Sequence, residues 1–253
     1  MTPAFQAVVL AAGMGKRMGS DLPKVLHPAL GKAMVHHVLD RLDPLAPERV
    51  VLVVGHKEGL VREACASRGV HFVTQKPQHG TGHAVQVAWE EIARGPARVL
   101  VLAGDMPLVR TETLRRLLER HEREGNAATF LSGALADPGG YGRVVRDGSG
   151  SFSKIVEEKD ATPEERAVSE VNSGIYCFER APLLAALDSL RADNKQQEYY
   201  LTDTLAFLRG VGGRVGIEAA THESELMGVN TVAQLAEVEG LLRAAGVAAE
   251  RRP

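Results

Sequence analysis

A short apolar run that ends in a glycine-rich, basic loop opens this chain and limits its fold more than any other stretch. Ala7 to Gly13 reads AVVLAAG, and Met14 to Lys24 reads MGKRMGSDLPK. An unbroken run of aliphatic residues, without polar alternation, suits a strand buried on both faces of a parallel sheet. The loop that follows holds the glycines Gly13, Gly15 and Gly19 and the cations Lys16, Arg17 and Lys24. Glycines let backbone approach a ligand and turn N–H groups toward it, and the cations match a polyanion. Together these features predict a phosphate-gripping loop at the carboxyl end of the first strand of an open α/β sheet, where such sheets bind ligands.

Two better-known phosphate motifs do not fit. The Walker spacing G-x-x-x-x-G-K-[ST] does not occur. A dinucleotide fingerprint needs G-x-G-x-x-G and an acidic residue after the second strand. Here the third glycine falls one residue late, and the second apolar run, Val50 to Val54, ends in Gly55-His56. The loop alone also fits a mobile glycine turn with solvated charges; the rest of the chain decides.

The length of 253 residues can bury a large core. We expect one large domain with a sub-lobe: a first half over 1–133 that carries the phosphate loop and binds nucleotide, a second half over 134–230, and a final helix and tail over 231–253. The net charge of −2 leaves no basic footprint for nucleic acid, so cations that meet an anionic substrate must be local. Cys65 and Cys177 give no disulfide framework and suit reduced thiols in the cytoplasm. No apolar run reaches the ~18 residues of a membrane span. The start MTPAFQ lacks the charged segment of an export signal.

Strands are expected at Ala7–Leu10, Val50–Val54, His71–Thr74, Val99–Leu102, Ala128–Ser132 and Gly174–Phe178. Helical spacing of apolar residues marks Met34–Leu42, Leu60–Ala66, Ala84–Ile92 and Thr111–His121. Strand–helix alternation implies right-handed crossovers and a parallel sheet covered on both faces. After residue 133 the pattern changes. Arg143–Arg146 and Phe152–Val156 flank Asp147-Gly148-Ser149-Gly150, which predicts a hairpin in a sugar- or acceptor-binding lobe. Helices at Pro182–Leu190 and Tyr200–Leu208, a strand at Val215–Ala219 and a last helix at Thr231–Ala245, N-capped by Thr231, complete the chain. The end, Glu250-Arg251-Arg252-Pro253, is expected to fray.

Three further stretches fall at strand ends. Gln75 to His83 reads QKPQHGTGH and opens a helix at Gly80-Thr81-Gly82. Helix-opening N–H groups attract anions or base carbonyls, and the Gln75 amide could pair with a pyrimidine edge. A capping Thr81 with a solvent-facing Gln75 is the plainer alternative. Next, Gly104-Asp105-Met106-Pro107 follows a buried strand. Asp105 there could hold Mg²⁺, which takes one or two carboxylates plus phosphate and water, or could cap the turn. Third, Gly142, the charged run Glu157-Glu158-Lys159 and Asn172 offer groups for sugar hydroxyls and an acetamido group, although charge runs also form solvated faces. Asn230 fits a second metal ligand or an ordinary turn. The histidines show no zinc spacing, and no catalytic triad stands out.

In order along the chain stand L-A-A-G-x-G-x-R-M (Leu10–Met18), P-K-V-L-H (Pro23–His27), G-T-G-H-A (Gly80–Ala84) and G-D-x-P-L (Gly104–Leu108). G-Y-G-R (Gly140–Arg143), I-V-E-E-K-D (Ile155–Asp160), N-S-G-I (Asn172–Ile175), E-Y-Y-L-T-D (Glu198–Asp203) and G-V-N (Gly228–Asn230) follow. This ordered set resembles the uridylyltransferase domain of the bifunctional N-acetylglucosamine-1-phosphate uridylyltransferase/glucosamine-1-phosphate acetyltransferase family, over roughly residues 5 to 245. The resemblance implies a Rossmann-like, GT-A-like nucleotidyltransferase fold with a mostly parallel mixed sheet. It implies a reaction in which UTP and N-acetylglucosamine 1-phosphate give UDP-N-acetylglucosamine, a cell wall precursor, and pyrophosphate. Carried over from the family, Leu10, Ala11, Ala12 and Gly13 line the nucleotide. Arg17 and Lys24 hold phosphates, and Gln75, Gly80 and Thr81 contact uridine. Gly104 lies beside the nucleotide. Asp105 and Asn230 bind Mg²⁺, and Gly142, Glu157 and Asn172 hold the sugar.

The sequence departs from the family in two places. Members usually have Tyr before the Gly-Asp pair, and Ala103 stands there, which removes an aromatic wall and puts affinity or sugar choice in question. The family also continues into a left-handed β-helix that binds acetyl-coenzyme A and forms the trimer. A chain that stops here is expected to lack acetyltransferase activity, and its oligomeric state stays open. The competing readings are a nucleotidyltransferase for another nucleotide or sugar 1-phosphate, and a non-catalytic nucleotide-sugar-binding protein. A sensor has no need for Arg17, Lys24, Asp105 and Asn230 together.

Overall fold

The computed structural model describes residues 4–246; the expectation for the end at Glu250 to Pro253 lies outside them. Strand β1 (Phe5–Ala11) is buried on both faces, as its unbroken apolar run predicts. A small antiparallel pair, β2 (Pro28–Ala29) and β3 (Lys32–Ala33), precedes α1 (Met34–Leu42). Then come β4 (Arg49–Val54), α2 (Glu58–Ala64), β5 (His71–Thr74), α3 (Thr81–Gln86) and α4 (Trp89–Arg94). β6 (Arg98–Ala103), α5 (Thr111–Glu124) and β7 (Ala128–Ala134) lead into the hairpin strands β8 (Arg143–Arg146) and β9 (Phe152–Val156). The chain returns through α6 (Pro163–Arg166), β10 (Glu170–Glu179), α7 (Arg180–Ser189), α8 (Asp203–Gly210), β11 (Val215–Ala219) and α9 (Val232–Ala244).

The main sheet runs in the order β11-β7-β10-β6-β1-β4-β5. Along this path only β10 opposes its neighbours; it pairs antiparallel with both β6 and β7, while the other neighbours are parallel. The sheet is therefore mixed and mostly parallel. The hairpin β8–β9 attaches to β10 at Val171 and Arg143. β1 leads outward through β4 to β5, and the chain then crosses back to β6 on the other side of β1. That reversal opens a crevice beyond the carboxyl ends of β1 and β6, where open α/β sheets bind ligands.

The period-2 alternation of β1 sorts its side chains into two cores. Phe5, Ala7, Val9 and Ala11 meet Val35, Val38, Leu39 and Leu42 of α1 and Leu114, Leu117 and Leu118 of α5. Val8 faces the opposite side with Val85, Ile92, Leu183, Leu187 and Leu205 from α3, α4, α7 and α8. A third cluster, Met18, Ala29, Leu30, Met34, Val229, Val238 and Leu242, lies beneath α9. It fixes the last helix beside the phosphate loop, and Leu30 N–H adds a 2.9 Å bond to the Glu239 carboxylate.

The local differences from the sequence expectation have physical causes. The single helix expected over Ala84–Ile92 is two, because Ala88 N–H bonds Val85 O three residues back, which breaks the four-residue ladder. Ala84, Val85, Ala88 and Ile92 still share one buried face, so the sequence period continues through the break. The helix expected from Tyr200 begins at Asp203. Tyr200 and Thr202 are drawn instead to Asp160 and Glu157, at 2.9 and 3.0 Å. Residues 58–64 form α2, two residues earlier than expected at each end. The short α6 was not expected, although Thr162-x-x-Glu165 is a capping box, and both of its bonds form. Thr231 caps α9 through Gln234 N–H at 3.2 Å, as its sequence predicts.

Candidate functional site

A cavity of about 330 Å³ opens at the crevice, lined by residues that include Leu10, Ala12, Gly13, Lys24, Gln75, Gly80, Thr81, Ala103 and Asp105. Ala11 alternates away into the α1–α5 core, so only its backbone can face a ligand there. Gly104 closes the crevice floor. Its N–H bonds Leu10 O at 2.9 Å, and a Cβ would lie 3.1 Å from that oxygen and 3.2 Å from Val25. β1 and β6 are thus stitched together immediately below the cavity.

After β1 the chain makes a single 3₁₀ turn, Lys16–Met18, between Gly15 and Gly19, both left-handed. Gly15 has φ +64°, and a Cβ there would come within 2.9 Å of Lys24 Cβ. The close approach needs glycine for both reasons, and it packs the loop against Lys24. Arg17 lies differently: it is exposed on the turn, does not line the cavity, and has no ion-pair partner among the described residues.

Lys24 Nζ forms an ion pair with Asp105 Oδ2 and donates to Asn230 Oδ1 at 2.7 Å. Asp105 follows β6, and Asn230 sits just before α9, so three distant stretches converge on one ammonium. Backbone bonds hold the arrangement: Val229 N–H donates to Asp105 O at 3.0 Å, and Asn230 N–H to Gln234 Oε1 at 2.8 Å. Two oxygen ligands aimed at one cation fit Mg²⁺, which completes its shell with phosphate and water. Among the described residues no three or more of His, Cys, Asp and Glu gather to hold a metal. Asp105 and Asn230 could therefore hold a divalent ion only alongside oxygens brought by a substrate.

On the base side, Gln75 is buried, with 3% of its surface exposed. The solvent-facing alternative for it is wrong. Its Nε2 donates to Gly80 O at 2.9 Å and lies 3.2 Å from His83 Nδ1. The N-cap of α3 is Gly80, φ +95°, rather than Thr81. Thr81 Oγ1 accepts from Leu201 N–H at 3.1 Å, and Gly82 N–H bonds Tyr199 O at 2.7 Å. A Cβ on Gly80 would sit 2.7 Å from Tyr199 O. This close seam brings Glu198 into the cavity wall.

Gly142, Glu157 and Asn172 gather in the hairpin lobe. Asn172 N–H bonds Gly142 O at 2.9 Å, and a Cβ on Gly142 would lie 3.6 Å from both Glu157 oxygens. Asn172 Nδ2 donates to Tyr176 Oη at 2.7 Å. The run Glu157-Glu158 divides its faces: Glu158 pairs with buried Arg143 at 2.8 Å, whereas Glu157 turns inward to Thr202. Burial pushes the Glu157 carboxyl above its usual range; the Thr202 hydroxyl opposes this, and the charges of Asp203, Asp160 and Glu198 add to it. Burial likewise raises the Tyr141 phenol, against a hydrogen bond with the Gly228 backbone.

Gln78, Glu198 and His83 are site features that the sequence reading did not assign. Gln78 and Glu198 line the cavity and His83 braces Gln75. For the last two the only signal was their place in G-T-G-H-A and E-Y-Y-L-T-D.

A switch-point cavity with a glycine–lysine loop and a carboxylate at the next strand end defines a nucleotide-binding α/β protein equipped for phosphate chemistry. The chain belongs to the MobA-like NTP transferase domain family, which matches residues 7–202, and it is a nucleotidyltransferase. It is 47% identical over 237 residues to the bifunctional protein GlmU of Caldanaerobacter subterraneus, covering 94% of this chain and 51% of that relative. It is 48% identical over 243 residues to the bifunctional protein GlmU of Thermobifida fusca, covering 94% and 50%. The chain thus spans about half the length of the curated relatives it matches. A crystal structure from Bacillus anthracis, described as a glucose-1-phosphate thymidylyltransferase, shares the fold. Its TM-score is 0.76 at 21% identity, over 95% of this chain and 96% of that one. No helix among the described residues is long and apolar enough to cross a membrane.

Proposed function

We propose that this domain transfers UMP from UTP to N-acetylglucosamine 1-phosphate, with Mg²⁺, and releases pyrophosphate. The observation that carries the reading is the meeting of Lys24, Asp105 and Asn230 at the edge of a cavity whose other wall bears Gln75, Gly80 and Thr81. Kinship with proteins named bifunctional protein GlmU supports it. The two free, buried cysteines suit a cytoplasmic setting.

A phosphate oxygen of the sugar 1-phosphate attacks the α-phosphorus of UTP in line, and the bond to the leaving pyrophosphate breaks. That oxygen is already anionic near neutral pH, so no side chain needs to remove a proton. The difficulty is the approach of two polyanions. Two unit charges 4 Å apart repel by ~1 kcal/mol in water and ~4 kcal/mol at an effective dielectric near 20. Lys24 offsets this inside the cavity; Arg17 could do so only by swinging in from the exposed turn. Mg²⁺, held by Asp105 and Asn230, would neutralise charge on the phosphate oxygens. Gly142, Glu157 and Asn172 would orient the sugar.

A matrix of nucleoside triphosphates against sugar 1-phosphates, with Mg²⁺ and pyrophosphate as readout, tests the assignment. The highest kcat/KM is expected for UTP with N-acetylglucosamine 1-phosphate. Preference for another pair refutes the named substrates, and no pyrophosphate from any pair leaves a binding protein. Ala103 lines the cavity, so the acceptor side of the matrix is the one to vary first.

Glu157→Gln should separate the sugar contact from the fold. A carboxyl whose folded pKa is raised contributes stability below its unfolded value, near 4.3, and loses it as pH climbs through the folded value. The glutamine variant escapes that loss, so its Tm should exceed the parent's increasingly from about pH 4 toward neutrality. Its KM for the sugar 1-phosphate should rise about tenfold while the KM for UTP holds. An unchanged sugar KM removes Glu157 from the acceptor site.

A further inference from the structure

We propose that His83 is a positioning residue: with the Gly80 carbonyl, its Nδ1 holds the Gln75 amide so that only the amide oxygen faces the cavity, which selects a base with a ring N–H. This rests on the reading of Gln75 as a base contact.

The geometry fixes the amide without regard to which end is drawn as nitrogen. A carbonyl oxygen only accepts, so the end 2.9 Å from Gly80 O must be the NH₂. That nitrogen has two protons. Gly80 takes one, and the other points to His83 Nδ1 at 3.2 Å. Nδ1 must then present its lone pair, which puts the ring proton on Nε2. Oε1 is left as the amide atom available to a ligand. His83 and Gly80 belong to the same first turn of α3, so both anchors move as one body. Burial lowers the His83 pKa, and His79, with its ring centroid 5.4 Å away, lowers it further, against a hydrogen bond with the Pro77 backbone. The ring therefore stays neutral at physiological pH, as the acceptor role needs. An acceptor held in this way matches the N3–H of uracil or thymine. Cytosine offers a lone pair at N3 and meets the fixed oxygen unfavourably.

Pyrophosphate release with UTP and with CTP, on the parent chain and on His83→Leu, His83→Asn and Gln75→Leu, tests this. In His83→Leu the Gly80 carbonyl still holds one N–H, but the amide loses its second anchor and can swing its oxygen off the base. Its KM for UTP should rise about tenfold at a kcat within about twofold, and its preference for UTP over CTP should shrink by about as much. In His83→Asn the Oδ1 falls near the place of Nδ1 and should restore the preference. A parental preference in His83→Leu overturns the proposal. So does an equal loss in His83→Asn, which would mean that the ring only fills space. Gln75→Leu separates the two levels of failure. An unchanged UTP KM there means that Gln75 does not meet the base at all; a raised KM there with a normal His83→Leu defeats the His83 role alone. Long-range ¹⁵N NMR on the parent protein needs no variant: a proton on Nε2 of His83 supports the proposal, and one on Nδ1 overturns it.

Discussion

Asp105→Asn is expected to lower kcat by about a thousandfold, the size that follows when a ligand to a charge-stabilising cation is lost, and to leave uridine nucleotide binding within about threefold. The substitution keeps the shape of the side chain. It also spares what holds the segment in place, since Gly104 N–H to Leu10 O and Val229 N–H to Asp105 O are backbone bonds. An amide oxygen can still accept from Lys24, so the fold around the ammonium survives. What disappears is the one formal negative charge among the two oxygens that face the shared cation. In the proposed mode the nucleotide base meets the Gln75 wall, and its binding should not register the change. Steady-state pyrophosphate release, together with titration of UDP binding, reads both parts. Near-normal turnover in this variant would remove Asp105 from metal binding and with it the core of the proposed mechanism.

The parts of this site that sequence displays are those written in local punctuation. An unbroken apolar run gives β1 because burial on both faces leaves no room for alternation. Gly104-Asp105 marks the end of β6 because a small residue there permits the approach to Leu10 O. Helix α1 has the bounds its spacing predicts, since its buried residues Val35, Val38, Leu39 and Leu42 repeat cleanly. The rest depends on pairings between distant segments. Glu198 reaches the cavity only because Gly82 N–H bonds Tyr199 O and Tyr199 N–H bonds His79 O, and no spacing announces that seam. The anchoring of Gln75 needs one helical turn to lie beside the end of β5. Arg17 stands apart from the cavity for the opposite reason. A cation in a glycine loop looks aimed at phosphate, but the left-handed Gly15 and Gly19 turn its 3₁₀ segment outward. β10 likewise reads as one more strand, because its direction is set by the chain's return from the hairpin lobe and not by its residues.

Lys24→Met is expected to lower kcat/KM by about a thousandfold and to move metal affinity in the opposite direction from Asp105→Asn. The first part follows from charge. Removing one cation a few ångströms from the reacting phosphates forfeits ~4 kcal/mol at an effective dielectric near 20, and each 1.36 kcal/mol is about tenfold in rate. Methionine keeps most of the aliphatic stem that packs against Gly15, where a Cβ would already meet Lys24 Cβ at 2.9 Å. The loss should therefore be electrostatic and should fade as salt rises, because screening weakens the parent enzyme's advantage. The second part follows from geometry. In the free protein the ammonium lies between Asp105 Oδ2 and Asn230 Oδ1, the two oxygens proposed for Mg²⁺. A divalent ion must displace it, so the parent pays in affinity for a preformed ion pair. Without the ammonium, Asp105 is left with no counter-charge there, and Mn²⁺ used as a probe should bind several-fold more tightly in the absence of nucleotide. Asp105→Asn should weaken the same binding. If both variants weaken Mn²⁺ alike, Lys24 supports the metal site instead of competing for it, and the ammonium must remain in place through the reaction.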